Sequence, residues 1–408
     1  MKLSTKVAIG TAAAALQVNA ATPSFADFDQ RAKKGEDLTV AFFGGSLTWG
    51  ARASDPNKTS YRGVIGQKLQ KKYPKARFKF VDAAIGGTGS LLGVFRLQRD
   101  VLGYKPDLIF LDFTLNDGTY KVSAPTLASY ESLVRRMVKE GKCPVVQMFL
   151  AARDMVKQGN TDGMKRYHAH MKIADAYNTA KGDAITYMQK QLKAGKLDLD
   201  VAWPPEFFDT CHPNDPGYAM YAEAGWEAYL NAVKEDKICT LPKKMLYGNS
   251  YMNWKRIPLS KLKLPAGWEN KLNSRDYCAF DFLMSRWMDG VTVAANYIPV
   301  NRKKTKPAEV AVQPLKLKFH GSSVLLFGES AGRSCDYTVT IDGKPKKFKS
   351  RQLGTNTGRM WQSVAEELDP DKEHTLEIMP IFPKNGKPAE LRIESICIAG
   401  PGKVSVKQ

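Results

Sequence analysis

The residues best suited to chemistry in this chain are a serine, a histidine and an aspartate in short polar segments. Ser46 follows two glycines at the end of an apolar run, and Asp209 and His212 lie close together much further along the chain. A serine hydroxyl is a weak nucleophile until a base takes its proton, and an acceptor must hold that base in one tautomer. The sequence therefore predicts Ser46 as nucleophile, His212 as its base and Asp209 as the acceptor. Alternatively, a Gly-Gly-Ser segment is typical of a plain strand-to-helix turn with a capping hydroxyl.

Two further segments could bind the negative charge that develops on an ester oxygen. Residues 83–90 are glycine-rich and can present a backbone N–H group, and Asn116 can donate a hydrogen bond from its side chain. Each has a simpler interpretation as well. The glycines could merely form a turn, and Asn-Asp-Gly at residues 116–118 is common in Asx turns and helix caps.

The elements that must position these residues are predicted from alternating apolar runs and amphipathic segments between residue 38 and about residue 240. This alternation is typical of βαβ units in a doubly wound α/β domain. The predicted strands are residues 38–43, 78–82, 108–113 and 144–150, and the predicted helices are residues 61–72, 127–138 and 166–181. Functional groups of such domains collect beyond the carboxyl ends of the strands, where Ser46, the glycine-rich segment and Asn116 all lie.

The pattern changes after residue 240, where a connection rich in proline and lysine leads into short alternating runs. A C-terminal β-sandwich, jelly-roll-like, is therefore predicted within residues 241–408. Its predicted strands include residues 315–319, 323–327, 337–341 and 376–379. Trp287, Tyr337 and Trp361 could stack on sugar rings, but aromatic residues of a β-sandwich more often belong to its core.

Taken in order, the segments around Ser46, the second glycine-rich loop, Asn116 and the Asp209–His212 pair resemble the SGNH hydrolase family, the GDSL-like esterases. The resemblance covers most of residues 38–232. It implies a flavodoxin-like three-layer domain at residues 27–240 and an acyl-enzyme mechanism without metal or cofactor. The site residues it implies are the catalytic Ser46, His212 and Asp209 and the oxyanion-hole donors Ser46, Gly87 and Asn116, with Gly86 as the alternative to Gly87.

The sequence departs from the family pattern at two positions. Gly45 stands where the family usually has aspartate, and Thr114 stands where many members have glycine. Neither change removes a reacting group. Both suggest a subfamily away from the general lipases.

The N-terminus resembles an export signal. Lys2 and Lys6 precede an apolar run at residues 7–16, and small-residue sites follow at Ala20 and Ala26. Residues 1–26 are therefore predicted to be a signal peptide cleaved after Ala20 or Ala26, which implies a secreted or periplasmic protein. The alternative is an uncleaved anchor, for which the apolar run is short. Six cysteines are compatible with disulfides in an oxidising compartment, but Cys143 could equally be a buried free thiol.

A net charge of +20 would attract polyanionic partners, although a solvated lysine-rich surface is the simpler interpretation. No nucleic acid is expected, because the lysines are scattered and no RNA-binding aromatic signature is present. No metal site is expected either, since His168 and His170 would point to different sides of a helix.

An export signal, a GDSL-like domain and a β-rich module together resemble carbohydrate esterases that remove acetyl groups from polysaccharides. The expected partner is an acylated carbohydrate, and the charge suggests an acidic polysaccharide. The alternatives are a lipase, arylesterase or thioesterase of the same fold, or a non-catalytic glycan-binding envelope protein.

Overall fold

The computed structural model of this chain describes residues 23–274, 288, 290–300, 304–350 and 358–408. A parallel five-stranded sheet with the order β2-β1-β3-β4-β5 forms the centre of the N-terminal domain. Its strands are β1 (Asp37–Gly44), β2 (Arg77–Ala84), β3 (Leu108–Asp112), β4 (Val145–Phe149) and β5 (Ala180–Asp183). Every residue of β3 and β4 is buried, as expected for central strands with helices on both faces.

Ten helices accompany this sheet in the described residues. They are α1 (Phe25–Lys34), α2 (Ser46–Trp49), α3 (Tyr61–Lys72), α4 (Ser90–Asp100), α5 (Ala124–Arg136), α6 (Arg153–Gln158), α7 (Lys165–Ala176), α8 (Ala184–Lys193), α9 (Leu199–Ala202) and α10 (Asp215–Lys234). Helices α4, α5 and α7 pack together in one layer, and α1, α3, α8 and α10 pack together in the other. The predicted three-layer, doubly wound α/β domain is therefore confirmed.

The four predicted strands and the first two predicted helices of this domain all form. The third helix prediction, residues 166–181, is wrong at its end, because α7 stops at Ala176 and residues 180–183 form β5. The short segment Ala-Lys-Gly-Asp contains no apolar run. Its strand is formed by pairing with β4, a tertiary contact that periodicity does not report.

Two antiparallel sheets form the C-terminal β-sandwich, which confirms the predicted second domain. One sheet has the order β14-β13-β16-β11-β18, and the other has the order β15-β12-β17-β8-β7, with β6 also paired to β17; β9 and β10 pair with each other in a separate two-stranded sheet. The strands are β6 (Asn253–Pro258), β7 (Trp268–Lys271), β8 (Val291–Ala295), β9 (Tyr297–Pro299), β10 (Thr305–Pro307), β11 (Leu315–His320), β12 (Ser323–Glu329), β13 (Asp336–Ile341), β14 (Lys344–Phe348), β15 (Met360–Ala365), β16 (His374–Ile381), β17 (Glu390–Gly400) and β18 (Ser405–Lys407). A turn at Asp342-Gly343 joins β13 to β14, with both residues at positive φ. The boundary at residue 240 stays a prediction.

Strand β12 connects the two hydrophobic cores of the molecule. Val324 and Leu326 belong to the core between the two sheets of the sandwich. Leu325 and Phe327 belong to the core that the sandwich shares with the α/β domain. Successive side chains of a strand point to opposite faces, so one strand serves both cores and the second domain is packed against the first.

Helix α1 fixes the N-terminal end of the described chain. Ser24 caps it in a reciprocal arrangement with Asp27, and Phe25 is buried. Cleavage after Ala26 would remove this cap and Phe25, whereas cleavage after Ala20 would keep both. The predicted signal peptide and its cleavage site stay predictions. In the part of the chain that the structure describes, no helix has the length and apolar character to cross a membrane.

The cysteines that the structure describes are free thiols. They are Cys143, Cys211, Cys239, Cys335 and Cys397. Cys143 is buried, as one of the two interpretations of the sequence expects. Cys278 and Trp287 lie outside the described residues.

Candidate active site

The serine, histidine and aspartate singled out by the sequence form one hydrogen-bonded chain. Ser46 is the first residue of α2, directly beyond the carboxyl end of β1, and the other two lie in the loop that leads into α10. His212 Nε2 lies 2.7 Å from Ser46 Oγ, and His212 Nδ1 lies 2.9 Å from Asp209 Oδ2. The imidazole is therefore held on one side by a carboxylate and faces the hydroxyl with the other. This is the geometry that activates a serine for nucleophilic attack.

Asp209 is held as a carboxylate by its own loop. Its Oδ1 accepts the backbone N–H groups of Cys211 and His212, each at 3.0 Å. Burial alone would raise the pKa of Asp209, but these N–H groups and the His212 ring outweigh it and lower the pKa below its usual value. Arg52 adds a positive charge, with Nε 3.4 Å from Oδ2. The acceptor of the histidine is thus ionised at neutral pH.

The two glycines of the second loop lie beside Ser46. A methyl group at Gly86 would lie 3.4 Å from the Cβ of Ser46. Gly87, the next residue, has a φ of 67°, which favours glycine. The structure therefore brings the loop of both candidate oxyanion donors to Ser46, and the choice between Gly86 and Gly87 stays open.

Asn116 completes the cluster of sequence-predicted residues. Its side chain packs on Gly45, where a methyl group would lie 3.0 Å from Nδ2 and closer still to Cγ, at 2.7 Å. Gly45 directly precedes Ser46, so the amide lies close to Ser46. The departure from the usual aspartate thus has a structural counterpart, because in this chain the space beside residue 45 is filled by Asn116.

The second departure, Thr114, also has a local partner. Its buried hydroxyl lies 3.0 Å from His170 Nδ1, and the His170 ring stacks on Tyr130 with centroids 3.5 Å apart. Burial lowers the pKa of His170 well below its usual value, so this ring is neutral. His168, on the same helix, is exposed. His170 is therefore a structural residue that supports the segment leading to Asn116.

Asp117 links the glycine loop to the Asn116 loop, a contact that the sequence did not reveal. Its Oδ1 accepts the backbone N–H of Ser90 at 2.9 Å, at the start of α4. Burial raises the pKa of Asp117 to about 6, although the Ser90 donors oppose this shift. The Asp117 carboxylate thus links the Asn116 loop to α4, the helix that follows the glycine loop.

Arg96 is another supporting residue that the sequence analysis missed. Its guanidinium is fully buried and donates to the Ala83 carbonyl at 2.7 Å and to the Gly44 carbonyl at 3.0 Å. The Ala83 carbonyl lies near the end of β2, which leads to the glycine loop, and the Gly44 carbonyl lies at the end of β1, which leads to Ser46. Burial lowers the pKa of Arg96 to about 10, with Asp100 opposing the shift, so the group stays charged at neutral pH. Only its place on α4 among apolar residues could have signalled this role.

Comparison with known proteins identifies the domain that carries this site. The doubly wound sheet carries the loops of Ser46, of the two glycines, of Asn116 and of the Asp209–His212 pair at one edge. Residues 42–220 match the model of the GDSL-like Lipase/Acylhydrolase family. The match covers most of the α/β domain and supports a carboxylic ester hydrolase of the SGNH/GDSL type.

Individual relatives cover either the first domain or both. Over 212 residues the chain is 26% identical to an acetylxylan esterase from Geobacillus stearothermophilus, which covers 47% of this chain and 94% of the relative. The structure is similar to that of a two-domain esterase (CEX) active on acetylated mannans, co-crystallized with mannopentaose. The TM-score is 0.72 at 22% sequence identity, and the match covers 92% of this chain and 94% of that chain. A second structure of the mannan-active esterase gives a TM-score of 0.73 at 21% identity. These likenesses show that the two-domain fold is shared.

Proposed function

We propose that this chain is a secreted or periplasmic carbohydrate O-acetylesterase in which Ser46, His212 and Asp209 are the catalytic triad. The observation that carries the proposal is the hydrogen-bonded chain from Ser46 Oγ through His212 to Asp209, at 2.7 and 2.9 Å. The nucleophile is partly exposed, so a substrate can reach it. An ionised Asp209 and a partly exposed Ser46 are what an acyl-enzyme mechanism requires.

In this mechanism, Ser46 Oγ attacks the ester carbonyl carbon while His212 Nε2 takes the hydroxyl proton. The carbonyl oxygen becomes an oxyanion, which accepts hydrogen bonds from the backbone of Ser46, from Gly87 and from the Asn116 amide. His212 returns the proton to the leaving sugar oxygen as the tetrahedral intermediate collapses to acetyl-Ser46. Water then attacks the acetyl group with His212 again as base, and acetate leaves with the free serine restored.

The substrate class is supported by the relatives and by the charge of the chain. The acetylxylan esterase and the acetylated-mannan esterase are both named for acetylated polysaccharides. The net charge of +20 and the position of Arg52, 3.4 Å from Asp209 and 43% exposed, favour an acidic polymer within this class. A long-chain lipid ester has no comparable support.

The first experiment compares the wild type with Ser46→Ala on acetylated polysaccharides, 4-nitrophenyl acetate and a long-chain ester. Acetate release from one polymer that disappears in Ser46→Ala would support the proposed esterase. Turnover of the long-chain ester alone would indicate a lipase. Absence of serine-dependent turnover on every substrate would leave a non-catalytic glycan-binding protein as the better interpretation.

The acidic-polymer part of the proposal has its own test. Acetylated uronic-acid or sulfated glycans should be deacetylated faster than neutral ones at low ionic strength, and added salt should reduce the difference because it screens exposed charges. Equal rates on both polymer types at low salt would refute this preference while leaving the esterase itself intact.

A further inference from the structure

The C-terminal sandwich reaches the glycine loop of the candidate active site through one aromatic side chain. Trp361 of β15 donates its indole N–H to the backbone carbonyl of Gly87 at 2.8 Å. Gly87 is the residue from which the proposed mechanism takes an oxyanion donor. A residue of the second domain therefore binds the peptide unit next to the one that carries this donor.

The loop needs such an external contact because of its composition. Residues 86 and 87 are both glycine, and glycine rotates more freely about φ and ψ than any other residue. One local bond, from Thr88 Oγ1 to the Ile85 carbonyl at 2.7 Å, closes the turn. The Trp361 bond fixes the 87–88 peptide unit, the one that follows the Gly87 N–H, so the turn that carries this N–H is anchored on one side by a residue of the sandwich.

A second residue of the sandwich covers the same glycine. The guanidinium of Arg359 lies so close to Gly87 that a methyl group there would be only 3.0 Å from Cζ and from Nε. Arg359 is 7% exposed, so it packs against the loop and not into solvent. Two residues of one segment thus contact Gly87: Trp361 by a hydrogen bond and Arg359 by packing.

Trp361 is itself held in place by the sandwich. It pairs with Phe327 of β12 in the antiparallel ladder, and Phe327 belongs to the core shared by the two domains. The indole ring packs against the same core. Trp361, which binds the glycine loop, therefore lies on a sheet that packs against the α/β domain.

We propose that Trp361 is a positioning residue for the oxyanion hole, so that the C-terminal domain is required for full acyl-transfer activity and not only for contact with polymer. The proposal rests on the esterase function proposed above. A preorganised donor stabilises charge in the transition state, whereas a loop that must reorder at each turnover loses part of this stabilisation. The effect should therefore fall on kcat.

The test replaces Trp361 with phenylalanine, which keeps an aromatic ring but removes the N–H. Trp268→Phe is the matched control, because Trp268 donates an equivalent bond to the Gln313 carbonyl at 2.8 Å within the same domain. We expect kcat of Trp361→Phe on 4-nitrophenyl acetate to fall about tenfold with KM almost unchanged, on the scale of one lost hydrogen bond. Trp268→Phe should keep the wild-type kcat. Trp361→His, which retains a ring N–H, should recover part of the loss.

The small substrate separates positioning from sugar stacking, since it has no sugar ring. A wild-type kcat for Trp361→Phe on 4-nitrophenyl acetate, or a loss seen only as a higher KM on polymer, would overturn the proposal. The same holds if Trp268→Phe loses as much kcat, because the effect would then reflect stability alone. Full activity of Ser46→Ala would instead refute the proposed function. If Trp361→Phe does not fold, Trp361→His and Trp361→Leu are compared at matched thermal stability: a higher kcat for the histidine variant, which keeps a ring N–H, would support the proposal, and equal kcat values would overturn it.

Discussion

The two domains of this molecule relate to the candidate site in different ways. In the α/β domain, parallel strands bring Ser46, the glycine loop and Asn116 to one edge of a sheet, so chain order and strand ends are enough to gather them. In the sandwich, side chains alternate between two faces, and a single strand such as β12 contributes to two cores. The pattern of an antiparallel domain thus predicts which residues are buried but not which domain they touch.

The largest expected effect concerns the α/β domain alone. His212→Ala should lower kcat on 4-nitrophenyl acetate by about 10⁴-fold or more, because Ser46 loses its base. His168→Ala is the matched control, since His168 is an exposed histidine on α7, and it should keep full activity. Comparable activity of the two variants would show that the Ser46–His212 pair is not the reacting pair.

A smaller effect is expected where Asn116 meets the nucleophile loop. Gly45→Ala should lower kcat about 100-fold, because the added methyl group would displace the Asn116 side chain, a proposed oxyanion donor. Gly45 has a φ of −100°, which alanine tolerates, so the effect would come from contact and not from backbone strain. Gly402→Ala, where a methyl group meets open space, is the control. A fully active Gly45→Ala would mean that Asn116 adapts or does not take part.

These two variants mark how far the sequence alone could predict the site. The sequence could indicate four residues of the site, because each follows a strand or precedes a helix in the order of a known family: Ser46, His212, Asp209 and Asn116. Strand β5 was not, since Ala180–Asp183 has no apolar run and forms only by pairing with β4. The bonds from Arg96 and from Trp361 join residues far apart in the chain, and neither the type nor the spacing of these residues specifies the carbonyl that each one meets.

Arg96 allows a test of how the strand ends support the site. Arg96→Met should lower the free energy of unfolding by about 3 kcal/mol, because buried carbonyls of β1 and β2 and the Asp100 carboxylate lose a charged donor. Arg99→Met removes another arginine bound to Asp100, but its side chain is 37% exposed, so it should cost less than about 1 kcal/mol. Urea unfolding of the two variants provides the measurement. Equal losses would mean that the bonds to the strand ends contribute little.

Asp112 gives the α/β domain a stability that falls as pH rises. It is fully buried at the end of β3, beside Gly44, and burial raises its pKa to about 8 against an opposing backbone N–H of Thr114. Because this folded-state pKa lies above the unfolded value, the folded state holds a proton that the unfolded chain has lost, and stability declines between about pH 4 and pH 8. Between pH 5.5 and pH 7 this decline should reach about 2 kcal/mol in urea unfolding. The difference in unfolding free energy between the wild type and Asp112→Asn should show this decline. If the difference does not change between pH 5.5 and pH 7, Asp112 is not the responsible group.

Asp342 gives the sandwich the opposite dependence on pH. Burial would raise its pKa, but the Thr375 N–H at 2.9 Å, the His374 ring at 2.8 Å and Lys372 at 3.2 Å lower it well below its usual value. A folded-state pKa below the unfolded one stabilises the fold above about pH 4, and this contribution is lost as the pH falls further. Because Asp342 lies near the surface, solvent screening limits the effect, and Asp342→Asn should cost about 1 kcal/mol at pH 6 and less at pH 3. If wild type and Asp342→Asn differ equally at both pH values, the loss reflects the geometry of the turn and not the charge. Of these two carboxylates, only Asp112 would then make the stability of its domain depend on pH.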